Sequence, residues 1–173
     1  MAGPTRGELG IFNRSHYEDV VAVRVRKLAP DQERAHGRQP AGLPANVWRR
    51  RYEHIRSFER MLVDEGTAIV KVFLHVSRDE QRKRLQERID DPEKRWKLQL
   101  SDLDDRKLWD RFTKAYEDVI RETSTDRAPW HVVPADHNWV RNLAVAELLV
   151  ETLERLDPQL PSADPALDGI EIV

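Results

Sequence analysis

The 173 residues contain no cysteine. That excludes a disulfide framework, a thiolate nucleophile and any cysteine-ligated metal. No apolar run approaches the roughly 20 residues that a bilayer-spanning helix needs, and Met1 to Gly7 lacks the apolar core of a secretory signal. Charge of one sign is also missing. The 29 basic and 31 acidic side chains give a formal net of −2, which argues against a general nucleic-acid coat, because such coats bind through a basic excess. None of the six histidines falls at His-x-x-x-His spacing, so no histidine metal site is expected. Ser15 lacks a Gly-x-Ser-x-Gly elbow. The most consequential absence is the Gly-Lys dipeptide: there is no Gly-x-x-x-x-Gly-Lys-Ser/Thr phosphate loop. A soluble, cytoplasmic protein of one domain is expected, with neither nucleic acid nor membrane as partner.

What is present alternates between strand and helix signals. Leu9 to Phe12 reads as a brief buried strand running into the polar cluster Asn13-Arg14-Ser15. His16 to Arg26 can continue as a helix, although four valines in it are β-branched and disfavour one. Leu28 to Pro44 is rich in Pro, Gly, Ala and charge and reads as a loop. Asn46 is the expected N-cap of a helix with Trp48, Tyr52, Ile55, Phe58 and Leu62 on one face, ending at Gly66. Thr67 to His75 is the strongest strand signal, its near-continuous apolar run suggesting burial on both faces. Ser77 caps a charged helix limited by Pro92. Ser101 and Asp104 resemble a capping box for a helix with Leu108, Phe112, Ala115 and Val119 inside. Trp130 to Val133 reads as a third strand, Asn138 to Leu156 as a final helix, and Asp157 to Val173 as an acidic flexible tail. The alternation predicts an α/β layered fold with a parallel sheet. Chemistry in such sheets gathers at the carboxyl ends of the strands, here Asn13–Asp19, His75–Asp79 and Pro134–Asn138.

Two segments carry candidate chemistry. In Asn13 to Asp19, Arg14 can hold a phosphate with a bidentate fork, and Glu18 and Asp19 can accept hydrogen bonds or hold Mg²⁺. Spacing alone favours the plainer reading, a strand-to-helix turn with solvated charges. Between Arg78 and Lys97 eight basic residues face six acidic ones. Arg78 with Arg82, and Arg84 with Arg88, lie one helical turn apart, a spacing that suits a polyanion and also an ordinary solvated helix. Among the five tryptophans, Trp48 and Trp109 fit amphipathic patterns, whereas Trp96 lies among Lys94, Arg95 and Lys97.

The string Gly10-Ile11-Phe12-Asn13-Arg14-Ser15-His16-Tyr17-Glu18-Asp19-Val20 resembles the second nucleotide-binding motif of the polyphosphate kinase 2 family. The likeness continues, in order, through Trp48–Glu59, Gly66–His75, Glu80–Arg88, Asp91-Pro92-Glu93-Lys94, Trp96-Lys97, Thr123-Ser124-Thr125, Ala128-Pro129-Trp130, Val133–Asp136 and Arg141-Asn142. The resemblance implies a P-loop kinase-like three-layer α/β fold with a parallel sheet and a helical lid over about 77–100. It further implies transfer of a terminal phosphate between inorganic polyphosphate and nucleotides, with Mg²⁺ and without an enzyme-bound phosphate. Asn13 stands where many relatives carry aspartate, which resembles the subgroup accepting both nucleoside mono- and diphosphates. By the same resemblance Arg14 contacts the transferring phosphates, Asn13 and Glu18 position the acceptor nucleotide or its metal, and Asp19, Arg82, Arg84, Arg88, Lys94 and Lys97 bind polyphosphate or nucleotide.

The family's Gly-x-Asp-x-x-Gly-Lys loop would lie upstream of Met1. The expectation is therefore an amino-terminally truncated domain over 1–156, with no metal ligand firmly assigned and a strand missing between Leu9–Phe12 and Ala68–His75. Such a domain is expected to be marginal alone, or to need a homo-oligomer or a complementing chain to fill the gap. The alternative to a phosphotransferase is an inactive module that binds polyphosphate or a full-length relative. The connection Asp31 to Pro44 reads as a tolerated insertion.

Overall fold

The computed structural model describes residues 4, 5, 7–26, 46–160, 162 and 164. The expected loop at 28–44 lies outside them, as does most of the expected tail.

Two parallel strands, β1 (Lys71–His75) and β2 (Trp130–Pro134), form the sheet, in register from Lys71 opposite Trp130 to His75 opposite Pro134. The Ala135 N–H extends the ladder by donating to the His75 carbonyl at 2.9 Å. β1 has no second neighbour among the described residues. A short 3₁₀ turn, His16–Asp19, leads into α1 (Ala22–Arg26), and α2 (Val47–Asp64) precedes β1. Between the strands run α3 (Arg78–Asp90), a 3₁₀ turn at Arg95–Lys97, α4 (Leu100–Lys107) and α5 (Trp109–Thr123). After β2 comes α6 (Asn138–Leu156), as the sequence predicts. No helix among the described residues is long and apolar enough to cross a membrane.

The core lies where the 3₁₀ turn, α1, α2 and α5 meet. Tyr17, Val20, Val21, Val25, Tyr52, Ile55, Ala115 and Val119 are buried there, with Trp48, Leu108, Phe112, Tyr116 and Trp130 packed around them. The valines are buried despite their poor helix propensity, because tertiary packing outweighs a propensity difference of under about 1 kcal/mol per residue. They do interrupt the helix. The segment 16–26 splits into the 3₁₀ turn and α1 rather than one continuous element.

Several expectations are corrected. Leu9–Phe12 is not a strand and is not buried: Leu9, Ile11 and Phe12 are exposed. An extended segment needs a neighbour for its backbone groups, and none pairs with it among the described residues. Locally, a Cβ on Gly10 would meet the Phe12 ring at 3.1 Å and Pro4 at 3.3 Å. The expected strand 67–75 is ladder-bonded only from Lys71, and Leu74 is 44% exposed, so β1 is not covered on both faces. Glu59, not Phe58, completes the inner face of α2 after Tyr52 and Ile55. Phe58 lies outward, since four residues from Ile55 keeps the stripe on one side and three turns it away here. Asn46 sits at the start of α2 without a side-chain cap bond. The capping box lies two residues before Ser101: the Gln99 N–H donates to Asp102 Oδ2 at 3.0 Å. α2 stops where Gly66 takes φ +89°, a left-handed conformation that glycine adopts without steric cost.

Candidate active site at the carboxyl ends of the strands

The loops that follow β1 and β2 are tied to each other by side chains. Ser77 Oγ caps α3 by accepting from the Glu80 N–H at 3.2 Å, as its N-cap position predicts. The Ser77 N–H itself donates to Asp136 Oδ1 at 2.7 Å. That bond, reinforced by the nearby Arg84 charge, holds the Asp136 carboxyl below its ordinary range. Arg84 reaches across from α3, donating through Nη2 to the carbonyls of Ala135 (2.8 Å) and Asp136 (2.9 Å) and through Nε to Glu80 at 2.8 Å. Its guanidinium is thus bonded into the protein by three short contacts, two of them to the loop that follows β2.

The other α3 cations differ. Arg82 and Arg88 make no ion pair or hydrogen bond through their side chains among the described residues. Lys94 pairs with Asp91 at 2.7 Å, and the exposed Lys97 ammonium sits 5.2 Å from the ring centre of Trp96. Trp96 is 78% exposed. Arg106 of α4 anchors this region to the start of α3, donating to the Arg78 carbonyl at 2.9 Å and to Gln81 Oε1 at 2.8 Å.

Arg14 and Glu18 form an exposed ion pair of 3.3 Å. They lie within electrostatic reach of Tyr116, whose phenol is raised mainly by burial, further by Glu18 and in opposition by Arg14. Tyr116 in turn packs on Phe73 of β1, with ring centres 4.6 Å apart. Tyr17, in the same segment as Arg14 and Glu18, bonds Lys71 and packs on Trp130, the first residues of β1 and β2. The segment's Asn13 and Asp19 are exposed, and the Asp19 carbonyl accepts from Arg51 at 3.1 Å. A cleft of about 380 Å³ lies at the opposite, amino end of the strands, lined in part by Ile69, Arg127, His131 and Thr152. It contains none of the sequence-predicted site residues.

The described residues contain no group of three His, Asp or Glu side chains that could hold a metal ion. Glu18 is paired with Arg14 and Asp136 with Ser77. These residues do not make a Mg²⁺ site by themselves.

One polar cluster escaped sequence reasoning. Tyr17, Glu59, Lys71 and Thr123 are buried and mutually bonded directly beneath the 13–19 segment. The signal was present in two places: a glutamate on the apolar stripe of α2 and a lysine opening an apolar strand.

Comparison with known proteins agrees with the motifs. The family model described as polyphosphate kinase 2 matches residues 2–161. A protein of Meiothermus ruber named AMP/ADP-polyphosphate phosphotransferase is 58% identical over 169 residues, covering 98% of this chain and 58% of the relative. One of Rhodopseudomonas palustris named ADP-polyphosphate phosphotransferase is 44% identical over 163 residues, covering 94% of this chain and 56% of the relative. The crystal structure of polyphosphate kinase 2 from Arthrobacter aurescens TC1 superposes with a TM-score of 0.80 at 43% identity, covering 94% of this chain and 52% of that one. The chain therefore spans somewhat over half the length of these relatives. With ordered motifs, a parallel α/β core and a matching family model all in agreement, the chain belongs to the polyphosphate kinase 2 family.

Proposed function

We propose that this chain carries the lid and acceptor side of a polyphosphate:nucleotide phosphotransferase acting on AMP or ADP. The observation that carries the reading is the set of exposed cations on α3 and on the 13–19 segment. Among the described residues Arg82 and Arg88 have no carboxylate partner, and Arg14 forms an exposed pair with Glu18. A polyanion supplies the missing negative charge. Phosphoryl transfer depends on positioning and charge neutralisation more than on covalent chemistry, and this side-chain set suits that demand.

In the reaction the terminal phosphoryl group leaves the polyphosphate chain as its bridging P–O bond breaks. A new P–O bond forms to the terminal phosphate oxygen of the nucleotide, with no protein nucleophile. Arg14 exchanges Glu18 for a phosphate oxygen pair, which a guanidinium fork matches bidentately. Glu18, released, is free with Asn13 and Asp19 to orient the acceptor. Arg82, Arg88, Lys94 and Lys97 neutralise the donor chain from the lid over about 77–100, and Arg84 serves by fixing the two strand-end loops. The relative named for both AMP and ADP supports the acceptance of both that Asn13 suggests.

The Mg²⁺ requirement, P-loop-like phosphate binding, the domain over 1–156 with its tail, and a cytoplasmic location belong to the same proposal. So does a partner, a homo-oligomer or a complementing chain, placed against the open edge of β1. The test is to incubate the purified chain with polyphosphate and AMP or ADP, with and without Mg²⁺, and to measure ADP or ATP formed. Product that disappears with chelator supports the reading. Polyphosphate binding without product, in the chain alone and in mixtures with a full-length relative, replaces it with the inactive-module reading.

A further inference from the structure

Glu59 and Lys71 are a charged pair in a position where the interior would otherwise be apolar. They are 4% and 6% exposed and 2.8 Å apart. Every polar atom is partnered. Tyr17 Oη donates to Glu59 Oε1 at 2.6 Å, and Lys71 Nζ donates to Glu59 Oε2 at 2.8 Å, to Tyr17 Oη at 3.2 Å and to the Thr123 carbonyl at 2.8 Å. The ammonium also faces the Trp130 ring at 5.4 Å from its centre, and the same ring meets Tyr17 edge-on at 4.8 Å.

Core stability alone does not account for this set, because well-packed apolar residues in place of a buried ion pair are commonly neutral or stabilising. What the charges add is direction. Tyr17 is the one member in the 13–19 segment, and its hydroxyl is held from both sides, donating to the carboxylate and accepting from the ammonium. Its neighbours Arg14 and Glu18 are exposed, and the 3₁₀ turn that carries Tyr17 spans only four residues, too few to fix its own placement. Val20 and Val21 hold the segment by non-directional packing, and the Arg51 bond to the Asp19 carbonyl is exposed. Burial and the Glu59 bond raise the Tyr17 phenol, so it stays protonated and keeps donating.

We propose that Glu59 and Lys71 are positioning residues, acting through Tyr17 to fix Arg14 and Glu18 for phosphoryl transfer. The inference rests on the phosphotransferase reading above. A misplacement of about 1 Å at a reacting group can lower turnover by about a hundredfold, so a rigid tie from core to loop has a direct kinetic role.

The test is the double variant Glu59→Leu/Lys71→Met, which keeps the volume and removes the tie, with Tyr17→Phe as a second variant that keeps the ring and both charges. Thermal unfolding, amide hydrogen exchange over residues 13–19 and steady-state phosphotransfer are measured on each. The double variant is expected to unfold no earlier than the parent, to exchange faster over 13–19 only, and to lose about tenfold to a hundredfold in kcat with a smaller change in KM for polyphosphate. Tyr17→Phe is expected to shift exchange and kcat the same way by less. Folded variants with parental kcat, or with unchanged exchange over 13–19, overturn the inference. A parent that transfers no phosphate overturns instead the phosphotransferase reading, and the exchange result still decides whether the tie holds the segment.

Discussion

Lys71→Met alone is expected to be far more damaging than the paired replacement, and the size of the difference can be worked from the contacts. The substitution removes the cation from a carboxylate whose side chain is 5% exposed. Glu59 keeps a single protein donor, the Tyr17 hydroxyl, and the Thr123 carbonyl loses the ammonium that it accepts from. Breaking a buried ion pair by removing one partner costs about 3–5 kcal/mol. For a chain of this size, each kcal/mol moves the melting temperature by about 2–4 °C, so the fall expected is about 6–20 °C. The loss also carries a pH signature. Buried without its cation, Glu59 has a folded-state pKa raised above its unfolded value. Stability is then fully present below the unfolded value and is lost as the pH rises through the folded one. Urea unfolding followed by circular dichroism should therefore show a smaller deficit at pH 5 than at pH 8. A deficit under about 1 kcal/mol, the range of an exposed pair, or one identical at both pH values, would refute the reasoning.

Three further outcomes follow from the strand-end loops and the lid. Ser77→Ala removes the N-cap of α3 and should cost about 1 kcal/mol in chemical denaturation; no measurable loss would show that the Asp136 bond to the Ser77 N–H holds the turn unaided. Arg82→Ala/Arg88→Ala should leave the melting temperature unchanged while weakening polyphosphate binding in calorimetry, whereas Arg84→Ala should lower stability by about 1–3 kcal/mol through its lost charge-assisted bonds. Equal stability effects from the two would contradict the division of roles. Asp136 has a depressed pKa in the folded chain, so its stabilisation is present above the unfolded carboxylate value and lost as the pH falls through the folded one. Asp136→Asn is thus expected to be less stable than the parent at pH 7, with the gap closing in acid; a gap that persists there would point to a steric cause.

Much of this fold was legible in the sequence where one local signal decided the outcome. Ser77 before a charged run gave a real cap, and the apolar pattern from Asn138 gave α6 with both its ends. The failures arose where a residue's fate depends on a distant neighbour. Leu9–Phe12 has strand composition, but composition does not supply a ladder. Glu59 and Phe58 are adjacent, and choosing the apolar one for the interior is reasonable until Lys71 and Tyr17 arrive from 12 and 42 residues away. The site shows the same division. Ordered motifs identified the family, yet Glu80 four residues before Arg84 signals only a local pair, and the reach of Arg84 to the carbonyls of Ala135 and Asp136 is not legible in the sequence.

The pairing of β1 with β2 has a consequence for the order of folding. The Lys71 bond to Thr123 spans 52 residues and, with the ladder, closes over α3, α4 and α5, while its bond to Tyr17 spans 54 and closes over α1 and α2. Such non-local contacts form only after a large loop-closure entropy has been overcome. The helices between the strands are stabilised by local bonds and can form first. Substitutions in the Tyr17–Glu59–Lys71 cluster should then act chiefly on the unfolding rate, and those in α5 on the folding rate.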